Sequence, residues 1–429
     1  MDLLIGVLML ILYLLAVVLI VRGESPIITL LLLAVAWVAV AGVPSSQILS
    51  KVIDGGGTAY ASSIVVIVFG AWFGQALVKT GIAENIIRSA IELAGDRPAM
   101  VAATVSVVTG LLFTSIYGVG AAIAIGVIAL PIMMSMGIPP WVAAPAFTMA
   151  IGAGNYVNMV EFNIFKPMFP GIKYEQPYLT FYFVGWAVYI LAAVAMSFYN
   201  LRIRGARKFS AINVAPSAAP TRVAIPWFAY IAPAIPVVMV IAFGWPMIPA
   251  FILGTVYALA ATHFGKRTVR ESIDLFHRTF YDAFPDIATI AALWIICGML
   301  IVGGQLPEVQ KVLNPLFSPV LPHDRLGVAL FFAALAPLAI YRGPFSVVGT
   351  GAALLAVFLN LNAVSPIFLY AVWRGALCLQ GSQDPTNSWT LWTIGYTKVT
   401  HAQFLKTALP WGWLMVAINA MLAYLMVPA

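Results

Sequence analysis

The sequence predicts an all-α polytopic membrane protein made of two inverted repeats of about five spans each, with re-entrant hairpins and broken helices. Three observations carry that expectation: apolar runs long enough to cross a bilayer recur along the chain, an ordered set of segments returns after the midpoint, and each half interrupts an apolar helix with polar residues. Hydrophobic residues are 62% of the 429 and charged residues 9%, a balance no soluble domain of this size carries on its surface. Cys297 and Cys378 both fall in apolar helices, which argues against a disulfide scaffold and against a thiolate metal site. The net charge of +7 does not point to nucleic acid, because the basic residues stand in short loops beside helix ends, where the positive-inside rule places them.

A spanning helix needs about 20 apolar residues, and windows 3–22, 26–43, 61–78 and 178–200 qualify in the first half. The first window has no basic leader and no small-residue cleavage site, so it is expected to stay rather than act as a removable signal peptide. Between the third and fourth lie an amphipathic stretch at 82–95, two apolar arms at 98–114 and 119–136, and a short helix at 140–153 that runs into Gly152 to Asn158. Arg202, Arg204, Arg207 and Lys208, followed by SAINVAPSAAPTR, read as a linker. The same order then returns: spans 226–243, 246–262 and 284–303, an amphipathic piece at 307–317, arms 327–340 and 345–360, a short helix 366–379 with a polar break, and a last span 406–427. Start positions differ by a nearly constant amount between halves, so the expected division is a first repeat over 1–200, a cytoplasmic linker over 201–225 and a second repeat over 226–429.

If the arms pair as hairpins, 98–136 and 327–360, and the broken helices, 140–168 and 366–397, cross once, each repeat crosses an odd number of times and the two copies are inverted. Charge counting agrees. With the linker cytoplasmic, that side holds fifteen of the 22 basic residues and the opposite side five, Lys51, Lys166, Lys173, Lys311 and Arg325. Full crossing by both arms gives the same parity, so the bias supports inversion and leaves re-entry open.

Four polar interruptions pair across the repeats: tip one Phe113–Gly120, tip two Ile340–Ser346, break one Gly152–Asn158 and break two Gln380–Asn387. In an inverted repeat these approach one point near the midplane, where helix ends and backbone groups bind ligands. The candidate substrate contacts are Thr114, Ser115 and Tyr117 on tip one, Arg342 and Ser346 on tip two, Asn155 and Asn158 in break one, and Ser382, Gln383, Thr386 and Asn387 in break two, with Arg374 two turns earlier. A guanidinium inside a membrane needs a partner and its fork suits a carboxylate, so the two arginines point to an anion. For Arg374 the alternative is that it caps carbonyls or pairs with Asp384 or Glu161. Asp384 and Glu161 are the candidate coupling-ion residues; Asp286 is a weaker third, with a solvated helix-end acid beside Asp282 as its competing role. His263, His277, His323 and His401 lie in loops or at helix ends without metal spacing, and Gly118-Val-Gly120 suits close helix packing rather than a nucleotide. The stretches 82–95 and 264–281 are expected along the cytoplasmic interface, with Trp227, Trp245, Trp411 and Trp413 as interfacial anchors.

By this layout over nearly the whole chain, and by the texture of TGLLFTSIYGVGAAIAIGVIALPIMMSMGIPP, the protein resembles the ion transporter superfamily, in its gluconate permease and citrate symporter-like branch. The resemblance implies a dimerising scaffold and a transport domain of hairpins and broken helices that moves as an elevator. It also implies substrate and ion contacts at Thr114-Ser115, Ser346, Asn155 to Asn158 and Ser382 to Asn387. The Ser-Asn-Thr motif of the divalent-anion branch is absent from all four places. The large subunit of tripartite binding-protein-dependent carboxylate transporters has similar length and fold. The expected function is secondary transport of carboxylates or sugar acids coupled to H⁺ or Na⁺, with a cation/proton antiporter as the alternative. An enzyme is not expected, since no paired histidines and carboxylates fall within the bilayer. No cofactor is expected beyond Na⁺ as a coupling ion, and the expected partners are a small organic anion, membrane lipid and a second copy of the chain. The expected location is a bacterial inner membrane with both termini periplasmic.

Overall fold

The computed structural model describes residues 2–169, 171–203, 225–263 and 268–428. Most of the expected linker, with Arg204, Arg207, Lys208 and Arg222, lies outside the described residues, as do Lys266 and Arg267. The chain is an all-α polytopic membrane protein. Asp2–Val21, Ser45–Lys79, Tyr178–Ile203, Val269–Gly304 and His401–Met426 are long and apolar enough to span a bilayer, and shorter apolar helices pack among them. Apolar side chains such as Leu3, Leu4, Ile11 and Leu14 on the first helix stay exposed, as lipid-facing residues do.

The first half comprises α1 (Asp2–Val21), α2 (Pro26–Val40), α3 (Ala61–Lys79), α4 (Ile82–Ala94), α5 (Pro98–Leu112), α6 (Val119–Ser135), α7 (Pro140–Val157), α8 (Met159–Phe165) and α9 (Tyr178–Phe198). The second comprises α10 (Ala234–Phe243), α11 (Met247–His263), α12 (Val269–Gly304), α13 (Pro307–Phe317), α14 (Arg325–Leu335), α15 (Gly351–Leu361), α16 (Pro366–Gln383), α17 (Ser388–Thr397) and α18 (His401–Met426). Proline stands in the first turn of α2, α5, α7, α13 and α16, where its missing N–H is no loss and its fixed φ suits the helix. Thr268 with Glu271 and Thr400 with Gln403 form capping boxes that start α12 and α18.

Packing divides the helices into two groups. In one, α3 and α12 pack on each other, α2 packs on α12 and α11 packs on α3. In the other, α7 and α16 pack together, flanked by α5, α9, α14 and α18. The groups meet along α3 and α12, which also touch α6, α8 and α15.

Four expectations are corrected. The amphipathic stretch expected over 264–281 is, in its described part, the first third of α12 and not a separate interfacial helix. Pro285 does not end α12, and its 36 residues reach about 54 Å at 1.5 Å per residue, well beyond the roughly 30 Å hydrocarbon core. A π-helical stretch, Ile48–Gly55, precedes α3 almost without interruption, where no element was expected. The second arm of hairpin two begins at Gly351 rather than 345, because Tyr341 and Arg342 turn left-handed (φ 55° and 51°). Their turn folds 340–350 into an irregular loop held by bonds from Thr350 N (3.0 Å) and Thr350 Oγ1 (3.2 Å) to Arg342 O. Finally, Gly152 and Gly154 do not break α7. They let it approach its neighbours, since a Cβ on Gly152 would meet Ser382 and one on Gly154 would meet Phe113 and the Gly110 carbonyl. Break one therefore narrows to Asn158, and break two to Asp384 to Asn387.

Candidate functional site

The two broken helices, each 18 residues long, begin on a proline and end at an extended residue. They cross where the buried Cys378 thiol donates to Gly152 O (3.1 Å), two positions 226 apart. Asn158 and Asp384 have that same spacing and the same local turn. Asn158 Oδ1 accepts from Val160 N (2.8 Å), and Asp384 Oδ1 accepts from Thr386 N and Thr386 Oγ1 (2.8 Å each). Such short polar side chains satisfy the amides that a chain break frees.

Each residue also holds the tip segment of its own half, with opposite polarity. Asn158 Nδ2 donates to Phe113 O (2.8 Å) and Ile116 O (2.9 Å) of tip one. Asp384 Oδ2 accepts from Arg342 N (3.0 Å) of tip two and from Gln380 Nε2 (3.4 Å). Asp384 is wholly buried, and protein donors engage both of its oxygens. Asp384→Asn should therefore loosen tip two, because an amide NH₂ turned toward Arg342 N cannot accept from it. The expected loss is about 1–3 kcal/mol of stability, read as a lower melting temperature in detergent; an unchanged melting temperature would rule out the pin.

The arginines take different roles. Arg374 Nε donates to Tyr156 O (3.3 Å) and its Nη2 to Asn155 O, while Nη1 pairs with Glu161 Oε2 (3.2 Å). The guanidinium also lies over the Tyr156 and Phe165 rings, so it caps the end of α7 and is neutralised there. Arg342 is 6% exposed. Among the described residues its guanidinium makes one hydrogen bond, Nη1 to Val348 O (3.1 Å), and no ion pair.

A cavity of about 50 Å³ lies on the seam between the two groups of helices, room for a few waters or one small polar group. Tyr117, Gly118 and Val119 of tip one line it, with Arg342 and Val348 of the tip-two loop, Glu161 of α8, and Gln380, Gly381, Asn387 and Trp389 around break two. The α12 wall is Asp286, Thr289, Ile290, Leu293 and Trp294.

Of the residues expected from sequence, Tyr117, Glu161, Arg342 and Asn387 reach this cavity. Thr114, Ser115, Asn155, Asn158, Ser346, Arg374, Ser382, Gln383, Asp384 and Thr386 do not line it. Thr114 and Ser115 hydroxyls bond the last carbonyls of α5 (2.7 and 3.3 Å); Ser382 bonds back to Cys378 O (2.7 Å). Asn155, Ser346 and the Gln383 carbonyl oxygen are buried without a side-chain partner among the described residues. Asp286, ranked third as an acid, is the residue that sequence reasoning undervalued. Gln75 Nε2 donates to its Oδ2 (2.5 Å) and Gly120 N to its Oδ1 (3.1 Å). The signal for it was its position inside an apolar span rather than ahead of one.

Spanning helices packed around two broken helices of this kind define a polytopic all-α membrane protein. Among solved structures, the fold is similar to that of the YdaH transporter of Alcanivorax borkumensis, described as having an unusual topology. The TM-score is 0.61 at 15% identity, over 96% of this chain and 98% of that one. The likeness is one of fold. No protein-family model and no curated protein matches the sequence.

Proposed function

We propose that the protein is an inner-membrane secondary transporter of small organic anions, carboxylates or sugar acids, driven by H⁺ or Na⁺. The observation that carries this is Arg342: a buried guanidinium with one hydrogen bond and no ion pair among the described residues, lining a cavity bounded by the two tips. A cation so placed is costly without an anionic partner, and its remaining N–H groups suit a carboxylate. The cavity is too small for a sugar acid as it stands, so the site must widen on loading.

Alternating access follows from where the cavity lies. One wall is α12 and the others belong to the hairpins and broken helices, so sliding one group of helices past the other would carry the site across the membrane. We take α5 to α9 and α14 to α18 as the moving unit and the rest as a scaffold that pairs with a second copy. The nearly repeated element order supports inverted halves, and the bias of basic residues supports termini on the periplasmic side. The sequence places the coupling ion on Asp384 and Glu161. With Asp384 fully engaged as a pin, we assign coupling to Glu161, which faces the cavity. A second reading, a cation/proton antiporter, is favoured by Glu161 and Asp286 both lining that cavity.

The test is thermal stabilisation of the purified protein by citrate, succinate, gluconate and related acids, each with and without Na⁺. A ligand bound only to the native state raises the melting temperature by mass action. A shift with an organic acid is expected; a shift with Na⁺ or Li⁺ alone and none with any acid would replace the anion reading with the antiporter.

A further inference from the structure

Tip one is closed by a residue of the opposite helix group. α6 begins at Val119, and its second amide, Gly120 N, donates to Asp286 Oδ1 of α12 (3.1 Å). Gln75 of α3 holds the other oxygen (2.5 Å). Only glycine permits this approach, since a Cβ at Gly120 would overlap Asp286 and Gln75, and Gly118 also abuts the carboxylate. The amino end of a helix favours a carboxylate because unpaired N–H groups and the helix dipole converge there. Here that carboxylate belongs to the protein.

The charged groups around it are few. Lys79 of α3 pairs with Asp282 (3.5 Å), one turn before Asp286 on α12. Glu161 and Arg342 lie along the same cavity, Glu161 already paired with Arg374. Among the described residues the Arg342 guanidinium therefore makes no ion pair, its Asp384 neighbour being bonded to the backbone N–H, while the amide end of α6 holds a carboxylate, Asp286, that lines the same cavity.

We infer that Asp286 is a gate carboxylate, a tethered stand-in for the carboxylate of the substrate, that clamps tip one against α12 and α3 while the site is empty. This rests on reading the cavity as an anion site. An anion drawn in by Arg342 takes the Gly120 amide, frees Asp286, and so releases the hairpin from the opposing helices only when the site is loaded. Coupling of that kind keeps an empty carrier from slipping.

The test uses the full-length purified protein with Val119→Cys, labelled by a maleimide. Cys297 and Cys378 are buried, and the parent without Val119→Cys gives the background. Adding Asp286→Ala is expected to speed labelling about tenfold, the scale of losing charge-assisted bonds. Asp286→Asn, which keeps one acceptor, and Gln75→Leu, which removes the other arm, should each give a smaller rise; Asp282→Asn should give none. Acetate, the smallest carboxylate probe, should speed labelling of the parent and not of Asp286→Ala, with chloride inert in both. A rate in Asp286→Ala within about twofold of the parent, with the protein still folded by melting, overturns the gate. Release in Asp286→Ala without any acetate response overturns the stand-in role, and joined to an empty stabilisation panel it removes the anion reading as well.

Discussion

Arg342→Ala should abolish stabilisation by every acid that stabilises the parent, while the substrate-free protein melts almost where the parent does. Truncating one partner of a desolvated charge pair costs about 2–5 kcal/mol, which at 1.4 kcal/mol per decade is roughly a 30-fold to 3,000-fold loss of affinity. The fold should tolerate the change. The side chain gives up one bond, to Val348 O, whereas the contact that fixes tip two is the backbone N–H of residue 342 on Asp384, which alanine keeps. The left-handed φ of 51° strains arginine and alanine alike, so the difference in backbone energy is small. Arg342→Lys separates charge from geometry: it retains the cation and loses the planar fork, and should weaken binding by about tenfold. Titration calorimetry on the strongest acid of the panel measures both. Unchanged affinity in Arg342→Ala would take the residue out of the site.

The sequence read most directly where one physical rule decided the outcome. Uninterrupted apolar length gave α1 and α9, and the windows opening at 26, 98, 140 and 366 coincide with the starts of α2, α5, α7 and α16, each of which begins on proline. Where two rules competed, the reading failed. Pro285 looks like a boundary by local preference, yet burial of Ile287, Leu293 and Trp294 on the same helix carries α12 through it. Gly152 and Gly154 look like helix breakers, and a tightly packed neighbour reverses their meaning. The stretch Ile48–Gly55 mixes Ser, Lys, Asp and Gly with apolar residues and offers no clear period, so its π-helical turn was invisible.

The site was legible in place more than in detail. Tips and breaks were recognisable by polarity, and Tyr117, Glu161, Arg342 and Asn387 reach the cavity. What the sequence could not show was which polar groups satisfy one another. Asp384 read as a coupling acid because an intramembrane carboxylate is expensive, but that expense is met by Thr386, Gln380 and the Arg342 amide. Asp286 read as a solvated acid beside Asp282, and its partner amide lies on α6, far away in sequence. In both cases one decisive contact, the Arg342 amide for Asp384 and the Gly120 amide for Asp286, comes from a distant segment, on which local composition carries no information.

Arg374→Ala should be the most destabilising single change in this region. Arg374 and Glu161 expose 1% and 14% of their side chains, so removing the guanidinium leaves a carboxylate inside the protein with no counter-charge, at about 3–5 kcal/mol. It also strips the cap from the Asn155 and Tyr156 carbonyls, next to the residue that pins tip one. Glu161→Gln should be milder, since a glutamine oxygen still accepts from Arg374 and the two carbonyls keep their donors. The double change Arg374→Met with Glu161→Leu removes both charges and fills similar volume, so it should recover much of the melting temperature. If it does so without restoring transport, the pair's structural and functional roles separate: the stability came from neutralising a buried charge, and the lost activity from Glu161 at the cavity wall. An Arg374→Ala protein that melts with the parent would show that the end of α7 needs no cap, and would free Arg374 to be considered again as a contact for the anion.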